Sequence, residues 1–528
     1  MSTALAAPPS ILLCTLNAKY IHASLGLRYL LANMGELKAR TALREFTIAR
    51  KPQELADQLL ALLAEPRDGE TQILGLGVYI WNVTQSTELV RLLKAARPAL
   101  KVVLGGPEVS HEIEQQEIVR LADFVITGWG DLSFPGLCRA LLHGPPPLMK
   151  IIHGEQPPLN RIALPYAEYS DADLAQRVLY VEASRGCPFK CEFCLSSLDK
   201  TAWAFDPDLF LTALQALHQR GARRFKFVDR TFNLKIDASV RILQFFLERL
   251  DDDLFLHFEV VPDHLPERLK AMIAQFPTGV LQLEIGIQSF NAAVQQRISR
   301  QQDNDATEAN LRWLRQHTHA HLHTDLIFGL PGETLESFAA GFDRLYSLGP
   351  HEIQLGILKR LRGTPMARHS AEHAMLYDPC PPYTVLQTGA VDAATLQRFT
   401  RFSRYWDLIA NSGRFKQTVA LWLSTHSSSA FDAFLAFGDW LWHRTGTTRG
   451  LSPESLLDHL FDYLRADGGL PAQVVRKTLL ADYLASGARA SPQALKGLLR
   501  KPLDPDIRAD RKLNQRQQRH RVPNQALR

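Results

Sequence analysis

The stretch that decides the fold is a cysteine-rich loop, Ser184-Arg185-Gly186-Cys187-Pro188-Phe189-Lys190-Cys191-Glu192-Phe193-Cys194. Its three thiols are spaced C-x3-C-x2-C and follow a β-branched, extended run at residues 177–182. In a regular strand successive side chains point to opposite faces, so residues 187, 191 and 194 could not all face one ligand, and we predict a loop wrapped around a ligand. Iron–sulfur clusters are held by cysteine thiolates, and a four-iron cluster takes four of them. Three thiolates therefore predict a cluster with one iron open to a small molecule.

Zinc and a disulfide are the alternatives to a cluster. Structural zinc sites use N and S ligands that usually come as two separated pairs. No second C-x2-C pair follows this loop, and the next histidine, His218, lies in a helical pattern. A disulfide would leave the third cysteine without a partner. The sequence therefore favours a cluster, with Cys187, Cys191 and Cys194 as its metal-binding residues.

Composition indicates a soluble, cytoplasmic protein. The 528 residues suffice for about two to four domains, and 46% hydrophobic with 22% charged residues is ordinary for a globular chain. Six cysteines, three of them clustered, are typical of a reducing compartment. No charged leader precedes Ile11-Leu12-Leu13-Cys14, and no apolar run reaches the length of a membrane span, so no membrane partner is expected.

The positive charge of the chain lies at its C-terminal end. Residues 501–528 hold eight Lys or Arg and three Asp, which equals the net charge of +5 for the whole chain. Because this stretch is polar and poor in apolar residues, we predict a basic, disordered tail. Since the remaining chain is neutral, nucleic acid is not expected to be a partner.

Residues 1–143 alternate short apolar strands with helical patterns. Strands are predicted at 11–16, 43–48, 73–80, 102–104 and 124–127. This alternation predicts a doubly wound parallel sheet, with a ligand crevice at the carboxyl ends of its strands. Two of these ends are the glycine turns Gly105-Gly106-Pro107 and Gly128-Trp129-Gly130-Asp131. Spacing alone leaves open whether these glycines admit a ligand or form tight turns.

The remaining chain divides into three parts after a linker. Residues 144–173 are rich in proline and are predicted to be a semi-rigid linker. Residues 174–380 contain six strand candidates separated by helical patterns, which predicts a partial (β/α)6 barrel with catalytic loops at the C-terminal strand ends. Residues 381–500 are predicted to be a helical domain with four tryptophans in its core, Trp406, Trp422, Trp440 and Trp442. The tail, 501–528, follows.

The cysteine loop resembles the signature of radical S-adenosylmethionine (SAM) enzymes, C-x3-C-x-aromatic-C. In that superfamily the methionyl amine and carboxylate of SAM chelate the open iron of a [4Fe-4S] cluster. An electron from the cluster then cleaves SAM and gives a 5′-deoxyadenosyl radical. The resemblance implies that Cys187, Cys191 and Cys194 are catalytic and that Phe193 packs against the adenine. It also implies an electron donor such as flavodoxin or ferredoxin.

The barrel also resembles the branch that includes oxygen-independent coproporphyrinogen oxidase. The matching segments are Phe258-Glu259-Val260-Val261-Pro262 and residues 286–291, 294–300 and 325–334. The resemblance implies SAM contacts by four residues, Glu259, Gln288, Arg300 and Asp325. Where that branch has a glycine-rich turn, this chain has Val228-Asp229-Arg230-Thr231-Phe232-Asn233, so Asp229 or Thr231 would supply the acceptor. Because Val181 replaces the usual tyrosine ahead of the loop, porphyrin oxidation is not implied.

The N-terminal layout resembles the cobalamin-binding domain that precedes the barrel in many radical SAM proteins. In those proteins the two glycine turns frame the cobalamin tail, which implies cofactor contacts by Gly105, Gly106, Gly128 and Gly130. Domains that supply an axial histidine carry Asp-x-His-x-x-Gly, whereas Tyr20-Ile21-His22-Ala23-Ser24-Leu25-Gly26 has no Asp. We therefore expect His22 at the start of a helix and not on cobalt. The whole chain resembles members of this group with an uncharacterised helical C-terminal extension.

These resemblances imply a radical SAM enzyme that depends on cobalamin and acts on a small molecule. The reaction would be methyl transfer to an unactivated carbon, or a radical rearrangement or cyclisation. Two alternatives stay open: a radical enzyme that modifies RNA or nucleotides without cobalamin, and a non-catalytic iron–sulfur sensor. The cations at 359–362 also leave two interpretations open, an anion site or a solvated loop.

Overall fold

The computed structural model describes residues 8–67, 69–425, 429–486, 488, 490–499 and 519–520. The chain forms two compact units. The first unit contains Met1–Glu259 with Lys359–Ala367 and Asp378–Thr384, and the second contains Val260–Leu358, Arg368–Tyr377 and Val385–Arg528. Among the described helices, none combines the length and the apolar character that a membrane span requires.

The N-terminal sheet has six parallel strands in the order β2-β1-β3-β4-β5-β6. All seven residues of β1 are buried, because helices cover both faces of the sheet. The strands are β1 (Ile11–Asn17), β2 (Thr41–Thr47), β3 (Ile73–Gly77), β4 (Lys101–Gly105), β5 (Phe124–Thr127) and β6 (Ile151–His153). The helices are α1 (Leu25–Ala32), α2 (Pro52–Leu63), α3 (Val83–Ala96), α4 (Glu117–Leu121) and α5 (Ser133–His143).

Helix α2 shows how the sequence produces these layers. Pro52 at its first turn has a φ suited to a helix start, and Leu55, Leu59 and Leu63 recur on the buried face. The prediction of a doubly wound parallel sheet is confirmed. One strand differs from the expectation, since β6 lies within residues 144–173 and pairs with β5. Its three residues, Ile151-Ile152-His153, are too short to give a periodic signal.

The second sheet has six strands in the order β14-β13-β12-β11-β10-β7, and each is followed by a helix or loop as an α/β barrel requires. All six strand candidates of the sequence occur in it. A short antiparallel pair, β8 and β9, brackets the cysteine loop. The strands are β7 (Leu179–Val181), β8 (Ser184–Arg185), β9 (Trp203–Ala204), β10 (Arg224–Phe227), β11 (Phe255–Val260), β12 (Leu281–Gln288), β13 (His321–Phe328) and β14 (Glu352–Ile357).

The helices of this region lie between the strands. They are α6 (Asp171–Gln176), α7 (Pro207–Gln219), α8 (Ile236–Leu247), α9 (Glu267–Ile273), α10 (Ala292–Arg297), α11 (Asn304–His317) and α12 (Leu335–Ser347). Residues 298–303 separate α10 from α11. Asp303 caps α11 by accepting from the backbone N–H groups of Asp305 and Ala306, both at 2.9 Å.

The C-terminal part of the second unit is helical, as the sequence predicts. Trp406 and Trp422 are buried, whereas Trp440 and Trp442 are partly exposed. Trp406 Nε1 and Asn411 Nδ2 donate to the Ile353 carbonyl of β14 at 3.1 and 2.9 Å, and Asn411 Oδ1 accepts from the Ile353 N–H at 3.0 Å. The elements are β15 (Leu376–Tyr377), β16 (Val385–Gln387), α13 (Ala393–Ile409), α14 (Lys416–Thr425), α15 (Ala430–Thr445), α16 (Pro453–Ala466) and α17 (Ala472–Ala485).

The predicted disordered tail, residues 501–528, lies outside the described residues except for Arg519 and His520. These two residues are ordered on the helical region. Arg519 Nη1 donates to the Ser412 carbonyl at 3.3 Å, and the buried His520 ring lies 3.0 Å from the Asn411 carbonyl. The sequence composition around them gives no signal for this packing because it is a tertiary contact.

Candidate cluster and cofactor sites

The cysteine loop is held at both ends by backbone pairing. Its flanks, β8 and β9, pair antiparallel, and the Cys187 N–H donates to the Asp199 carbonyl at 2.8 Å. Gly186 has a φ of +82°, and an added Cβ there would lie 2.5 Å from Thr201 Oγ1 and 2.7 Å from the Ala202 nitrogen. Only glycine fits this position, so the sequence Gly186-Cys187 is required for the turn that starts the loop.

The three thiols lie in one electrostatic environment. Burial raises the pKa of the Cys187 thiol, and the nearby Cys194 and Cys191 raise it further, whereas hydrogen bonds from the Phe189 N–H and the Thr231 hydroxyl lower it. A thiolate there needs a positive partner, which iron supplies. Among the described residues, no three His, Cys, Asp or Glu side chains converge as ligands of a single metal ion. In a cubane cluster, by contrast, each cysteine binds a different iron.

Asp229 contacts the residues that lead into the cysteine loop. Its carboxylate accepts from the Ala183 N–H at 2.9 Å and from the Ser184 hydroxyl at 2.6 Å. Burial raises the pKa of Asp229 to about 7. This carboxylate therefore holds the backbone of Ala183 and the side chain of Ser184, just before the loop, and its role as an acceptor for SAM stays a prediction. Phe193 is half-buried within the loop.

Arg185 joins the loop to the N-terminal domain. Its Nη1 and Nη2 atoms donate to both oxygens of Asp131 at 2.8 and 3.1 Å, and its Nε atom donates to Glu182 at 2.7 Å. The guanidinium carbon lies 4.3 Å from the Tyr29 ring centroid and 4.9 Å from that of Trp129. Burial opposes the charge, but Glu182 and Asp131 raise the pKa of Arg185 and keep it cationic.

A cavity of about 330 Å³ opens at the carboxyl ends of β3, β4 and β5. Its lining contains the four glycines that the sequence singled out, together with Asp131, Glu182 and Arg185. Among the described residues, an added Cβ at Gly105 would meet only the Ile126 carbonyl, at 3.9 Å, and one at Gly128 would meet no atom within 4 Å. The glycines therefore leave space that side chains would fill, which fits the tail of a large flat ligand.

Gly106 has a different reason to be glycine. Its φ is +109°, and an added Cβ would lie 2.4 Å from the Val78 carbonyl oxygen, so the turn could not form with a side chain. His22 lies at the turn before α1, where its Nδ1 is 2.7 Å from the Tyr180 hydroxyl. Burial lowers the pKa of His22, and Lys19 and Lys226 lower it further.

Glu259 lies near the end of β11 in the first unit, 3.6 Å from Arg230 Nη1. The other three residues implied for SAM lie in the second unit and meet at one glycine. Gly286 pairs with Asp325 across β12 and β13, and its carbonyl accepts from Arg300 Nη2. An added Cβ at Gly286 would lie 2.5 Å from Gln288 Nε2.

Gln288 is held in an uncommon backbone conformation at this point. Its φ is +69°, and the register between β12 and β13 shifts between Gly286 and Gln288. Its Oε1 atom is buried and has no hydrogen-bond partner in the part of the chain that the structure describes. The bulge places a hydrogen-bond acceptor that has no partner among the described residues at the end of β12, and a polar ligand could donate to it. His323 next to this group has a pKa that burial lowers but Asp325 and Glu352 raise above the usual value.

Glu333, in the segment that follows β13, gives a pH prediction. It is 1% exposed, Ser289 donates to its Oε1, and burial raises its pKa to about 7. The unfolded pKa is about 4.3. The folded state therefore binds the proton more tightly than the unfolded state. The contribution of protonated Glu333 to the free energy of unfolding is fully present below pH 4 and is lost as the pH rises to about 7. E333Q should raise the unfolding free energy at pH 8 by about 3 kcal/mol.

The measurement for E333Q is the thermal midpoint at pH 4.5 and pH 8. The gain in midpoint should be large at pH 8 and small at pH 4.5. E336Q is the control, because Glu336 is exposed in the first turn of α12 and should give no such difference. Equal gains for E333Q at both pH values would contradict the assignment of the buried proton.

Sequence reasoning missed several residues of these sites. Arg185 and Glu182 were quoted as neighbours of the cysteines, and Asp131 only as the end of a glycine turn. A signal was present, since an arginine two residues before Cys187 and an acid at a strand end both lie where ligands bind. Their pairing across 54 residues, however, has no local pattern.

The fold and these sites define a class, a radical SAM domain joined to a B12-binding domain. Residues 181–345 match the model of the radical SAM superfamily, 11–138 match the B12 binding domain, and 371–525 match a family of proteins of unknown function (DUF4080). The chain is homologous to cobalamin-dependent radical SAM methyltransferases and to oxygen-independent coproporphyrinogen oxidase. The resemblances to radical SAM enzymes, to the coproporphyrinogen oxidase branch and to the cobalamin-binding domain are confirmed.

Three similar proteins define the extent of this likeness. The cobalamin-dependent radical SAM methyltransferase TokK of Streptomyces tokunonensis is 25% identical over 355 residues, which cover 57% of this chain and 49% of TokK. Oxygen-independent coproporphyrinogen III oxidase of Cereibacter sphaeroides is 39% identical over 77 residues, 15% of this chain and 17% of that protein. The solved structure of the cobalamin-dependent SAM radical enzyme OxsB has a TM-score of 0.58 at 15% identity. The match covers 98% of this chain and 83% of the OxsB chain.

This chain thus spans about half the length of TokK, and the likeness to OxsB shows the fold. The two matched domains imply a [4Fe-4S] cluster with SAM, and cobalamin, as cofactors. The loop with its three thiols and the cavity with its four glycines fit these groups.

Proposed function

We propose that this protein is a cytoplasmic radical SAM enzyme that uses a [4Fe-4S] cluster and cobalamin to transfer a methyl group to a carbon of a small molecule. One observation carries the proposal. Arg185, two residues before Cys187, lines the glycine-framed cavity and donates a fork of hydrogen bonds to Asp131 of the second glycine turn. A single buried guanidinium therefore joins the cluster loop to the cobalamin cavity.

Each group has its holders in the chain. Cys187, Cys191 and Cys194 would hold the cluster, and the glycine turns would frame the cobalamin tail. Glu259, Gln288, Arg300 and Asp325 are the proposed contacts for SAM, and Phe193 the contact for its adenine. When bound, these groups supply reductive cleavage of SAM and a methyl group for transfer. A flavodoxin or ferredoxin would supply the electron.

The relatives support methyl transfer over other radical reactions. TokK is a methyltransferase by name, and its match extends across 57% of this chain. Rearrangement or cyclisation uses the same cofactors, and the mass of the product separates them, because methyl transfer adds one CH₂ unit. Among the cysteines outside the loop, Cys14 and Cys138 are buried and Cys380 is exposed, so they do not form the second cysteine cluster of a methylthiotransferase.

The test is anaerobic purification after growth with hydroxocobalamin, followed by counts of iron, sulfide and cobalt. The proposal expects a full cluster, stoichiometric cobalamin, and formation of both 5′-deoxyadenosine and S-adenosylhomocysteine once reductant and SAM are added. A full cluster without cobalt would favour a cobalamin-independent enzyme. A full cluster that never forms 5′-deoxyadenosine would instead identify an iron–sulfur sensor.

A larger side chain at Gly105, which lines the cavity, should weaken cobalamin binding without unfolding the protein. Because Gly105 ends β4 and its Cβ position is open, G105V fits the backbone and occupies space that the ligand needs. Overpacking typically costs about 1–3 kcal/mol, so we expect roughly ten- to hundredfold weaker binding of hydroxocobalamin by absorbance titration. G136V is the control, since Gly136 in α5 also has open space around its Cβ position. Unchanged affinity in G105V would contradict the cavity assignment.

A further inference from the structure

We infer that Glu108, Arg362 and Tyr383 form a clamp that positions the turn Gly105-Gly106-Pro107 for cobalamin. The clamp brings together residues far apart in the sequence but within the first unit. This inference rests on the proposed function, because it concerns the same cofactor. It assigns a role to the cations at 359–362, which the sequence left between an anion site and a solvated loop.

The centre of the clamp is the buried carboxylate of Glu108. Arg362 Nε donates to Glu108 Oε1 at 2.9 Å, and the Tyr383 hydroxyl donates to the same oxygen at 2.5 Å. Arg362 Nη2 also donates to the Tyr383 hydroxyl at 2.9 Å, which closes a ring of three side chains. Glu108 and Tyr383 are 5% and 6% exposed. The Glu108 carboxylate and the Tyr383 hydroxyl are therefore largely shielded from water, and ionic hydrogen bonds are stronger where water is excluded.

A second pair of contacts strengthens the clamp. Arg360 Nη2 donates to both oxygens of Glu112, at 3.0 and 2.9 Å, and the Gly363 N–H donates to the same carboxylate at 3.2 Å. Gly363 has a φ of +80°, and an added Cβ would lie 2.3 Å from the His111 ring. The segment around Gly363 is thus packed closely against the residues that follow the turn. Both arginines of this segment therefore have carboxylate partners.

The clamp acts on the turn through the backbone. Glu108 follows Gly105-Gly106-Pro107 directly, and its N–H donates to the Val78 carbonyl at 3.4 Å. Gly106 lies against the same carbonyl, and the Val78 N–H donates to the Gly105 carbonyl at 2.8 Å. A shift of the Glu108 side chain therefore moves the turn that lines the cavity. The Ser110 hydroxyl also donates to the Gly106 carbonyl at 2.9 Å, so the clamp adds to bonds that already hold the turn.

The other side of the clamp is also constrained. Tyr383 has a φ of +55°, which is uncommon for tyrosine, and its N–H donates to the Cys380 carbonyl at 2.8 Å. Arg360 N–H donates to the Tyr383 carbonyl at 3.0 Å, which joins the two short segments of the clamp. Burial and the Glu108 carboxylate raise the pKa of Tyr383 to about 12, so its hydroxyl stays protonated and donates at neutral pH.

The position of the clamp in the sequence supports its role. Residues 359–367 come immediately after β14, the last strand of the barrel. The chain that leaves the barrel is therefore bonded to the turn that frames cobalamin. Glu108, Arg362 and Tyr383 are positioning residues in this arrangement, since they act on the cofactor through the Gly105-Gly106-Pro107 turn.

The test compares R362M, R362K and Y383F with the unaltered full-length protein, each purified with its cluster reconstituted. The measurements are the dissociation constant for hydroxocobalamin by absorbance titration, the iron content, and the rate of 5′-deoxyadenosine formation. We expect cobalamin binding to weaken roughly ten- to a hundredfold in R362M, as loss of an outer-shell partner does elsewhere. R362K should recover part of this loss. Iron content and 5′-deoxyadenosine formation should stay within about twofold.

A double-mutant cycle separates positioning from general destabilisation. The cycle compares E108Q/R362M with the single variants E108Q and R362M. The double variant should bind cobalamin no more weakly than the weaker-binding single variant, because both changes remove one shared contact. K94M is the matched control: Lys94 Nζ lies 3.0 Å from Asp123, in the same domain but beside the first residues of β4 and β5. It should lower the thermal midpoint without changing cobalamin affinity.

The outcomes are distinct. If the unaltered protein binds cobalamin and R362M binds it with the same affinity, the clamp inference is overturned and the proposed function stands. Additive losses in the double-mutant cycle, or an equal loss of affinity in K94M, overturn it as well. If the unaltered protein with a full cluster does not bind cobalamin, the proposed function fails and the clamp fails with it.

Discussion

C191S should lower formation of 5′-deoxyadenosine to background while the protein keeps its fold. The serine hydroxyl is a hard, weakly acidic donor and a poor ligand for the iron of a cluster, which selects soft thiolates. The backbone contact at this position survives, because the Cys194 N–H donates to the carbonyl of residue 191 at 3.1 Å. The loss should therefore be specific to the cluster. The measurements are iron and sulfide per chain, the cluster absorbance, and the 5′-deoxyadenosine formed with dithionite and SAM.

C380S is the matched control for this change. Cys380 is exposed and lies between two prolines, outside the cysteine loop. Its replacement should leave iron content and SAM cleavage at the level of the unaltered protein. Retention of the full iron content and of SAM cleavage by C191S would remove Cys191 from the cluster and with it the three-cysteine assignment.

R185M should destabilise the protein by about 3–5 kcal/mol, because it leaves two buried carboxylates without their cation. The side chains of Arg185, Asp131 and Glu182 are 13%, 7% and 13% exposed, so they are largely shielded from bulk water. The same change removes the bond between the cluster loop and the second glycine turn. We therefore expect lower cobalt and iron contents together with a lower thermal midpoint.

Two further variants give this experiment its controls. R185K keeps the charge but loses the planar fork, so it should lie between R185M and the unaltered protein. K38M removes a more exposed ion pair, that of Lys38 with Glu168, and should cost less than about 1 kcal/mol. If R185M keeps both its thermal midpoint and its cobalt content, Arg185 does not join the two sites.

Local patterns were sufficient for the α/β architecture. Strands at 11–16 and 124–127 follow directly from the spacing of apolar residues, and the structure has them within one residue of those bounds. The position of the cysteine loop also follows from sequence, because the thiols come right after the first barrel strand. These features depend on neighbours within about ten residues, which is the range that periodicity reports.

Partners distant in sequence could not be predicted in this way. Arg362 and Glu108 are 254 residues apart, and nothing near either residue indicates the other. Asp229 shows a second limit, because a carboxylate at a strand end can face a ligand or the neighbouring backbone, and the sequence is the same in both cases. The structure directs it to Ala183 and Ser184.

The contacts of Trp406 and Asn411 with Ile353 have a consequence for how this protein can be divided. Strand β14 is at one end of its sheet, and such edge strands offer unpaired backbone groups to other chains. Here side chains from and just after α13 occupy the N–H and C=O of Ile353 in place of a seventh strand. In a fragment that ends before α13, the N–H and C=O of Ile353 would lose these partners. We therefore expect such a fragment to self-associate through β14.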